Sequence, residues 1–438
     1  MSDEALDVVE LLLTVRTFNQ HYDLDENDLP PRYRRVFWTD EGIERPLRPT
    51  VDVVAAATGV DDPWETVADL MFTDRDAFAD TVTLADDEMA KEWFLDRADD
   101  DRLGSNPTLV FAFEDELAPD VSYEAARAAN RPIQADRVWI DTLLAEYFDE
   151  EDEEMLDLVT VHAPEEVEIT LDDLVVTADQ EEEIQKIATA IEHRSYLAEI
   201  GLREIGKLLF VGPPGTGKTS VARALAQDLD LPIVEVRLSM ITSQYLGETA
   251  KNVDKTFEVA KRLSPCILFI DEFDFVAKTR RSDEHAALKR AVNTLLKSID
   301  DISLIEHDVL LIGATNHPDQ LDSAAWRRFD EIVNFPKPDE GMRADILRVI
   351  TREMTIEGFD PEAVAAETQG FTGSDLRLVL REAVLEALTE GRRTLTQADL
   401  LEAVDDFHER DNLRELDTIE GDHEALVAGG GDLGGHDH

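Results

Sequence analysis

Residues Lys207-Leu208-Leu209-Phe210-Val211 run directly into Gly212-Pro213-Pro214-Gly215-Thr216-Gly217-Lys218-Thr219-Ser220, and Val221-Ala222-Arg223-Ala224-Leu225-Ala226 follow. The apolar run reads as a buried strand, the glycines as a tight turn, and the next residues as a helix. This G-x-x-x-x-G-K-T spacing constrains the chain more than any other feature. It demands a strand, a loop and a helix in that order, so that backbone N–H groups converge on a polyphosphate without Cβ clashes. The helix then points its positive end at the anion. In this reading Lys218 reaches the β- and γ-phosphates, and the Thr219 hydroxyl joins the shell of Mg2+.

Charge is the next constraint. The 438 residues carry 98 acidic against 42 basic side chains, a net charge of −56. The excess is spread along the chain: residues 1–165 hold 43 acidic and 13 basic groups, and Lys91 is their only lysine. A chain-wide acidic surface resembles proteins of salt-accumulating halophiles, where high salt screens the repulsion, and implies a haloarchaeal source. It argues against a broad nucleic-acid surface, because few cations are available to replace counterions. Cys266, the single cysteine, sits in an apolar run and reads as a core residue. No secretory signal or membrane-length apolar run is evident, so a soluble, cytoplasmic protein without membrane partners is expected.

Along the chain, residues 1–150 read as a mainly helical acidic N-terminal domain, with helices predicted at 5–18, 86–97, 121–129 and 135–148. Residues 50–70 have a faint helix-turn-helix pattern, but Pro63-Trp64-Glu65-Thr66-Val67-Ala68-Asp69-Leu70 offers no cation to DNA. Residues 151–165 read as an acidic linker. Strands alternate with helices over 166–338, with strands predicted at 207–211, 233–237, 266–270, 309–313 and 331–335. That alternation implies an α/β fold with a parallel sheet. Residues 339–411 read as an all-helical lid, and 412–438 as a disordered acidic, glycine-rich tail.

Three further segments carry chemistry. Ile267-Leu268-Phe269-Ile270 delivers Asp271 and Glu272 at the end of a strand, a metal ligand followed by a base that polarises the attacking water. Val309-Leu310-Leu311-Ile312-Gly313-Ala314-Thr315 ends in Asn316, an amide able to orient that water or sense the γ-phosphate. Arg327 and Arg328 are adjacent cations in a chain with few, and guanidinium groups stabilise a phosphoryl group in flight, in cis or from a neighbouring subunit.

Together, Gly-Pro-Pro-Gly-Thr-Gly-Lys-Thr (212–219), Ile-Asp-Glu-Phe-Asp (270–274), Ala-Thr-Asn (314–316), Arg-Arg-Phe-Asp (327–330) and Gly-Phe-Thr-Gly-Ser-Asp-Leu (370–376) resemble an AAA+ ATPase. The likeness is to the AAA clade of Cdc48-like and katanin-like remodelling ATPases, and it spans roughly 166–410. The resemblance implies a P-loop NTPase sheet with a C-terminal helical lid, ATP and Mg2+ as cofactors, and a homo-oligomeric, hexameric ring with ATP at subunit interfaces. It makes Gly212 to Ser220 the nucleotide loop, Thr219 and Asp271 the metal ligands, Glu272 the catalytic base and Asn316 the sensor. It makes Arg327 and Arg328 the fingers reaching the next subunit's ATP, with Gly373 and Ser374 as the lid's nucleotide contact. Tyr245, Leu246 and Gly247 resemble the pore loop that grips an extended polypeptide, and Arg280-Arg281 falls where a second pore loop would lie.

Departures accompany the match. Asp173 belongs to the adenine-side segment Asp172-Asp173-Leu174-Val175, where Val175 replaces a usual glycine. Ile350 stands where relatives often carry a histidine, and Asp300-Asp301-Ile302 replaces Asp-Gly-Phe. The function expected is ATP hydrolysis coupled to remodelling or unfolding of protein substrates, with adaptors as further partners. The alternatives are a nucleic-acid-associated loader or replication regulator using the N-terminal domain, and a scaffold gated by nucleotide.

Overall fold

The computed structural model describes residues 3–39, 42–117, 121–149, 152–202, 205–237, 249–274, 286–321 and 323–410. The pore-loop residues Tyr245, Leu246 and Gly247, the pair Arg280-Arg281 and the tail 412–438 lie outside them.

A six-stranded sheet organises the middle of the chain. Its strands in chain order are β1 (Val159–His162), β2 (Lys207–Val211), β3 (Ile233–Val236), β4 (Cys266–Ile270), β5 (Val309–Thr315) and β6 (Glu331–Asn334). In space they run β6-β2-β5-β4-β3-β1. The five from β2 to β6 pair in parallel, with Val211 level with Thr315 and Ile270 level with Gly313. β2, β4 and β5 are buried at every residue, which is why they read as unbroken apolar runs.

Alternate residues serve opposite faces of the sheet. Leu209, Val211, Leu268, Ile270 and Leu311 pack with the helices Thr249–Arg262 and Ala286–Asp301. Leu208, Phe210, Phe269, Leu310 and Ile312 pack with Ala178–Glu192 and Lys218–Asp228. Cys266 is fully buried in this core, as its apolar setting implied, and burial pushes its thiol well above the usual range.

β1 corrects the expected linker. Residues 159–162 pair antiparallel with β3, Val161 opposite Val234, and so close that edge of the sheet. Phe148, Met155, Leu158 and Val159 enter the sheet's own hydrophobic core, and Leu143 and Leu144 of the helix Arg137–Tyr147 pack against it. The acidic run obscured four residues whose inward side chains have a core to bury in.

The N-terminal region is helix-rich, from Asp3–Gln20 to Arg137–Tyr147, and residues 6–123 hold an apolar core of their own. The helix-turn-helix-like stretch forms Val51–Thr58, ended by left-handed Gly59, and a five-residue helix Pro63–Val67; the hairpin Thr73–Asp76/Thr81–Leu84 comes next. Several of its few arginines are used internally. Fully buried Glu10 accepts from Arg32 and Arg102, each at 2.6 Å, and buried Asp28 from Arg127 and Tyr123 at 2.7 Å. Arg34 and Asp136 form a buried ion pair at 2.9 Å, in which burial pushes the Asp136 carboxyl up to about 6 while Arg34 pulls it down. Arg131 reaches Asp230 at 3.3 Å, just past the end of the helix Lys218–Asp228.

After Pro338 the helices Glu340–Ile350, Pro361–Glu367, Gly373–Thr389 and 397–410 enclose a separate core. A two-residue parallel pairing of Ile356–Glu357 with Leu395–Thr396 interrupts the all-helical arrangement expected there. Among the described residues, no helix is long and apolar enough to cross a membrane.

Candidate functional site

Adjacency of β2, β5 and β4 brings three chain segments together at the carboxyl ends of these strands, where ligands of parallel sheets gather. The loop after β2 is tied to β5 by the Gly212 amide, which donates to Thr315 O at 3.2 Å. A Cβ on Gly212 would lie 2.1 Å from the Phe335 carbonyl oxygen, so the loop's first position admits only glycine. Thr216 closes the turn by donating to Pro213 O at 2.8 Å, and Gly217, at φ +96°, opens the helix Lys218–Asp228. Pro214 is exposed at the loop's crown.

Lys218 is buried, and its ammonium donates to the carbonyls of Gly212 at 2.8 Å and Pro213 at 2.7 Å. Burial lowers its pKa, with Asp271 opposing. The next residue makes the central contact: Thr219 Oγ1 donates to Asp271 Oδ2 at 2.9 Å. The other carboxylate oxygen of Asp271 accepts the Glu272 amide at 2.7 Å. Glu272 adopts a left-handed backbone, φ 49°, and its side chain is exposed. Phe273 anchors that bend by donating its amide to Ala314 O at 2.7 Å and setting its ring edge-on to Phe329 at 5.2 Å. Asn316, just beyond β5, is half-buried and makes no side-chain hydrogen bond among the described residues.

The lid meets the loop from the other side. Thr372 caps the helix Gly373–Thr389 in a capping box with Asp375, and the Ser374 amide donates to Gly215 O at 3.2 Å. Gly215 has φ +77°, and a Cβ there would lie 2.6 Å from Thr372 Oγ1. A cavity opens along this seam, lined by Asp173 and Val175, by Gly215, Thr216, Gly217 and Ser220 of the loop, and by Ile350, Gly373 and Ser374 of the lid. Asp173 accepts from the Thr170 amide at 2.8 Å and the Thr170 hydroxyl at 2.9 Å and pairs with Arg352; these contacts, Thr170 foremost, hold it below the usual carboxylate range.

The two arginines differ. Arg327 is exposed and unpartnered among the described residues. Arg328 binds its own chain through Leu296 O at 2.9 Å, Asp300 at 3.0 Å and Ala324 O. Two side chains here were missed by reasoning from the sequence, Arg352 on Asp173 and Arg377 on the cavity wall, and Asp300 was marked as a departure but not as the partner of Arg328. Arg377 alone had a local signal, lying one helical turn beyond Gly373-Ser374.

These elements define a P-loop nucleotide site beneath a helical lid. Comparison with known proteins agrees. The family described as ATPase family associated with various cellular activities (AAA) matches residues 208–337, and the AAA+ lid domain matches 358–402. An uncharacterized AAA family ATPase of Sinorhizobium fredii is 37% identical over 242 residues, covering 55% of this chain and 72% of that protein. A proteasome-activating nucleotidase of Pyrococcus horikoshii is 38% identical over 54% of this chain and 62% of its own length. An ATP-dependent zinc metalloprotease, FtsH 3, of Sphaerobacter thermophilus is 38% identical over 56% and 51%. Thus the match covers only about three fifths of the nucleotidase and half of the metalloprotease. The crystal structure of the FIGL-1 AAA domain superposes with a TM-score of 0.50 at 25% identity, covering 59% of this chain and 89% of that one. The chain belongs to the AAA family of ATPases.

Proposed function

We propose that this ATPase couples hydrolysis to the remodelling or unfolding of protein substrates as a ring of identical subunits. The observation that carries the hydrolytic half is the Thr219–Asp271 hydrogen bond, which sets a hydroxyl and a carboxylate from two adjacent segments on one point. Two hard oxygen donors there suit Mg2+, which when bound would neutralise phosphate charge. Lys218 exchanges its two loop carbonyls for phosphate oxygens, and the loop amides with the following helix end hold the rest of the chain of phosphates. Glu272, held at a bend fixed by Phe273, accepts a proton from water as it attacks the γ-phosphate, while Asn316 orients that water. Arg327 is assigned to the neighbouring subunit's nucleotide, where a guanidinium offsets charge in the transition state, while Arg328, expected to share that role, is held by Leu296, Asp300 and Ala324 of its own chain.

Protein substrates are favoured by the relatives' names, one activating the proteasome and another being an ATP-dependent protease. The nucleic-acid alternative is disfavoured by charge, since Arg32, Arg34, Arg102 and Arg127 are engaged with carboxylates inside the N-terminal region. Tyr245 and Leu246 are proposed to grip the polypeptide. Glu272→Gln should retain ATP while phosphate release falls by about 10²–10⁴-fold; undiminished release removes Glu272 from its role. Tyr245→Ala should spare basal ATPase yet stop unfolding of a tagged reporter protein, and unchanged unfolding removes the pore assignment.

A further inference from the structure

The cavity between loop and lid has two chemically distinct ends. One wall is apolar, with Val175, Phe335, Pro336, Met342, Ile346 and Ile350, a surface suited to the faces of a base. The other end is the loop, whose amides receive phosphates. A nucleotide spanning both places its sugar and first phosphate at the seam, where Ser374 touches Gly215. Arg377 lies one turn along the same helix from Ser374, on the same side of it.

Arg377 is the only cation among the described residues lining this cavity, and it also lines the groove that opens beside it around Arg352 and Leu380. Its guanidinium is exposed and has no hydrogen-bond or ion-pair partner among the described residues. That isolation is notable in a chain with 98 carboxylates for 42 cations. The surrounding lid arginines are engaged: Arg352 with Asp173, Arg348 with Asp345, Arg381 with Glu382, and Arg343 with Ala365 O and Thr368. Thr219, Asp271, Glu272 and Asn316, where the terminal phosphate would react, do not line this cavity.

Resting on the nucleotide reading above, we propose that Arg377 donates to the ribose–α-phosphate portion of the bound nucleotide, the part that ATP and ADP share. A planar fork of donors suits adjacent sugar and phosphate oxygens. The lid is thereby fastened to the nucleotide whether or not a γ-phosphate is present, and it stays fastened after hydrolysis until ADP leaves.

Calorimetric titration of the full chain carrying Glu272→Gln with ATP and with ADP, each with Mg2+, tests this. Adding Arg377→Ala should weaken both by about ten-fold, the factor equivalent to 1.4 kcal/mol, with the ATP/ADP ratio and the melting temperature unchanged. Arg377→Lys should fall between, keeping the charge without the fork. Unchanged affinity in Arg377→Ala overturns the proposal while leaving the nucleotide site intact. Loss of ATP binding alone also overturns it, because that places the guanidinium on the γ-phosphate. A parent chain that binds neither nucleotide overturns the site reading and this proposal with it.

Discussion

Asp300 holds Arg328 through two guanidinium nitrogens, at 3.0 and 3.1 Å, while Arg327 beside it has no partner among the described residues. One arginine is tied into its own chain, and the other is exposed and unpaired among the described residues.

Their substitutions should therefore separate. Arg327→Ala is expected to lower ATP turnover by about 10³-fold in the assembled protein, as for a guanidinium supplied in trans, with no change in melting temperature. Arg328→Ala should cost about 1 kcal/mol of stability, because the Leu296 and Ala324 carbonyls lose their donor along with the partly exposed ion pair. Calorimetric melting and phosphate release on both variants check this; equal melting temperatures contradict the division.

Gly215→Ala places a methyl group 2.6 Å from the Thr372 hydroxyl and 3.1 Å from Ser374 Cβ, at a φ that alanine rarely adopts. The methyl should push lid and loop apart, with more effect on ligand binding than on folding. ATP affinity is expected to fall by more than ten-fold for a stability loss of about 1–2 kcal/mol. Titration with ATP alongside urea denaturation measures both.

The buried pair of Arg34 and Asp136 should respond more severely to half-removal than to full replacement. Asp136→Ala leaves an enclosed guanidinium uncompensated and should destabilise by about 3–5 kcal/mol. Arg34→Met with Asp136→Leu should recover most of that loss, because the desolvation of both charges disappears together. Urea midpoints of the single and double variants decide between the two.

The sequence showed the site where its chemistry is local. The loop, the Asp271-Glu272 pair and Asn316 each follow an apolar run, and a strand buried on both faces is legible as such a run. β1 was not, because Val159-Thr160-Val161-His162 is four residues long and follows a stretch of acids that reads as solvated. Asp300 and Arg328 are 28 residues apart, and Arg34 and Asp136 are 102 apart. No periodicity connects such partners; only the folded path does. Lid closure on Gly215 was invisible for the same reason, although the glycine itself was marked.

β1 also decides what a shortened chain would do. Cutting at residue 166 would strip a hydrogen-bonded neighbour from β3 and uncover the apolar surface now shielded by Phe148, Met155 and Leu158, leaving a sticky margin prone to self-association. The end of the N-terminal region is thus joined to the sheet by four paired residues and a shared core, in place of a free acidic tether.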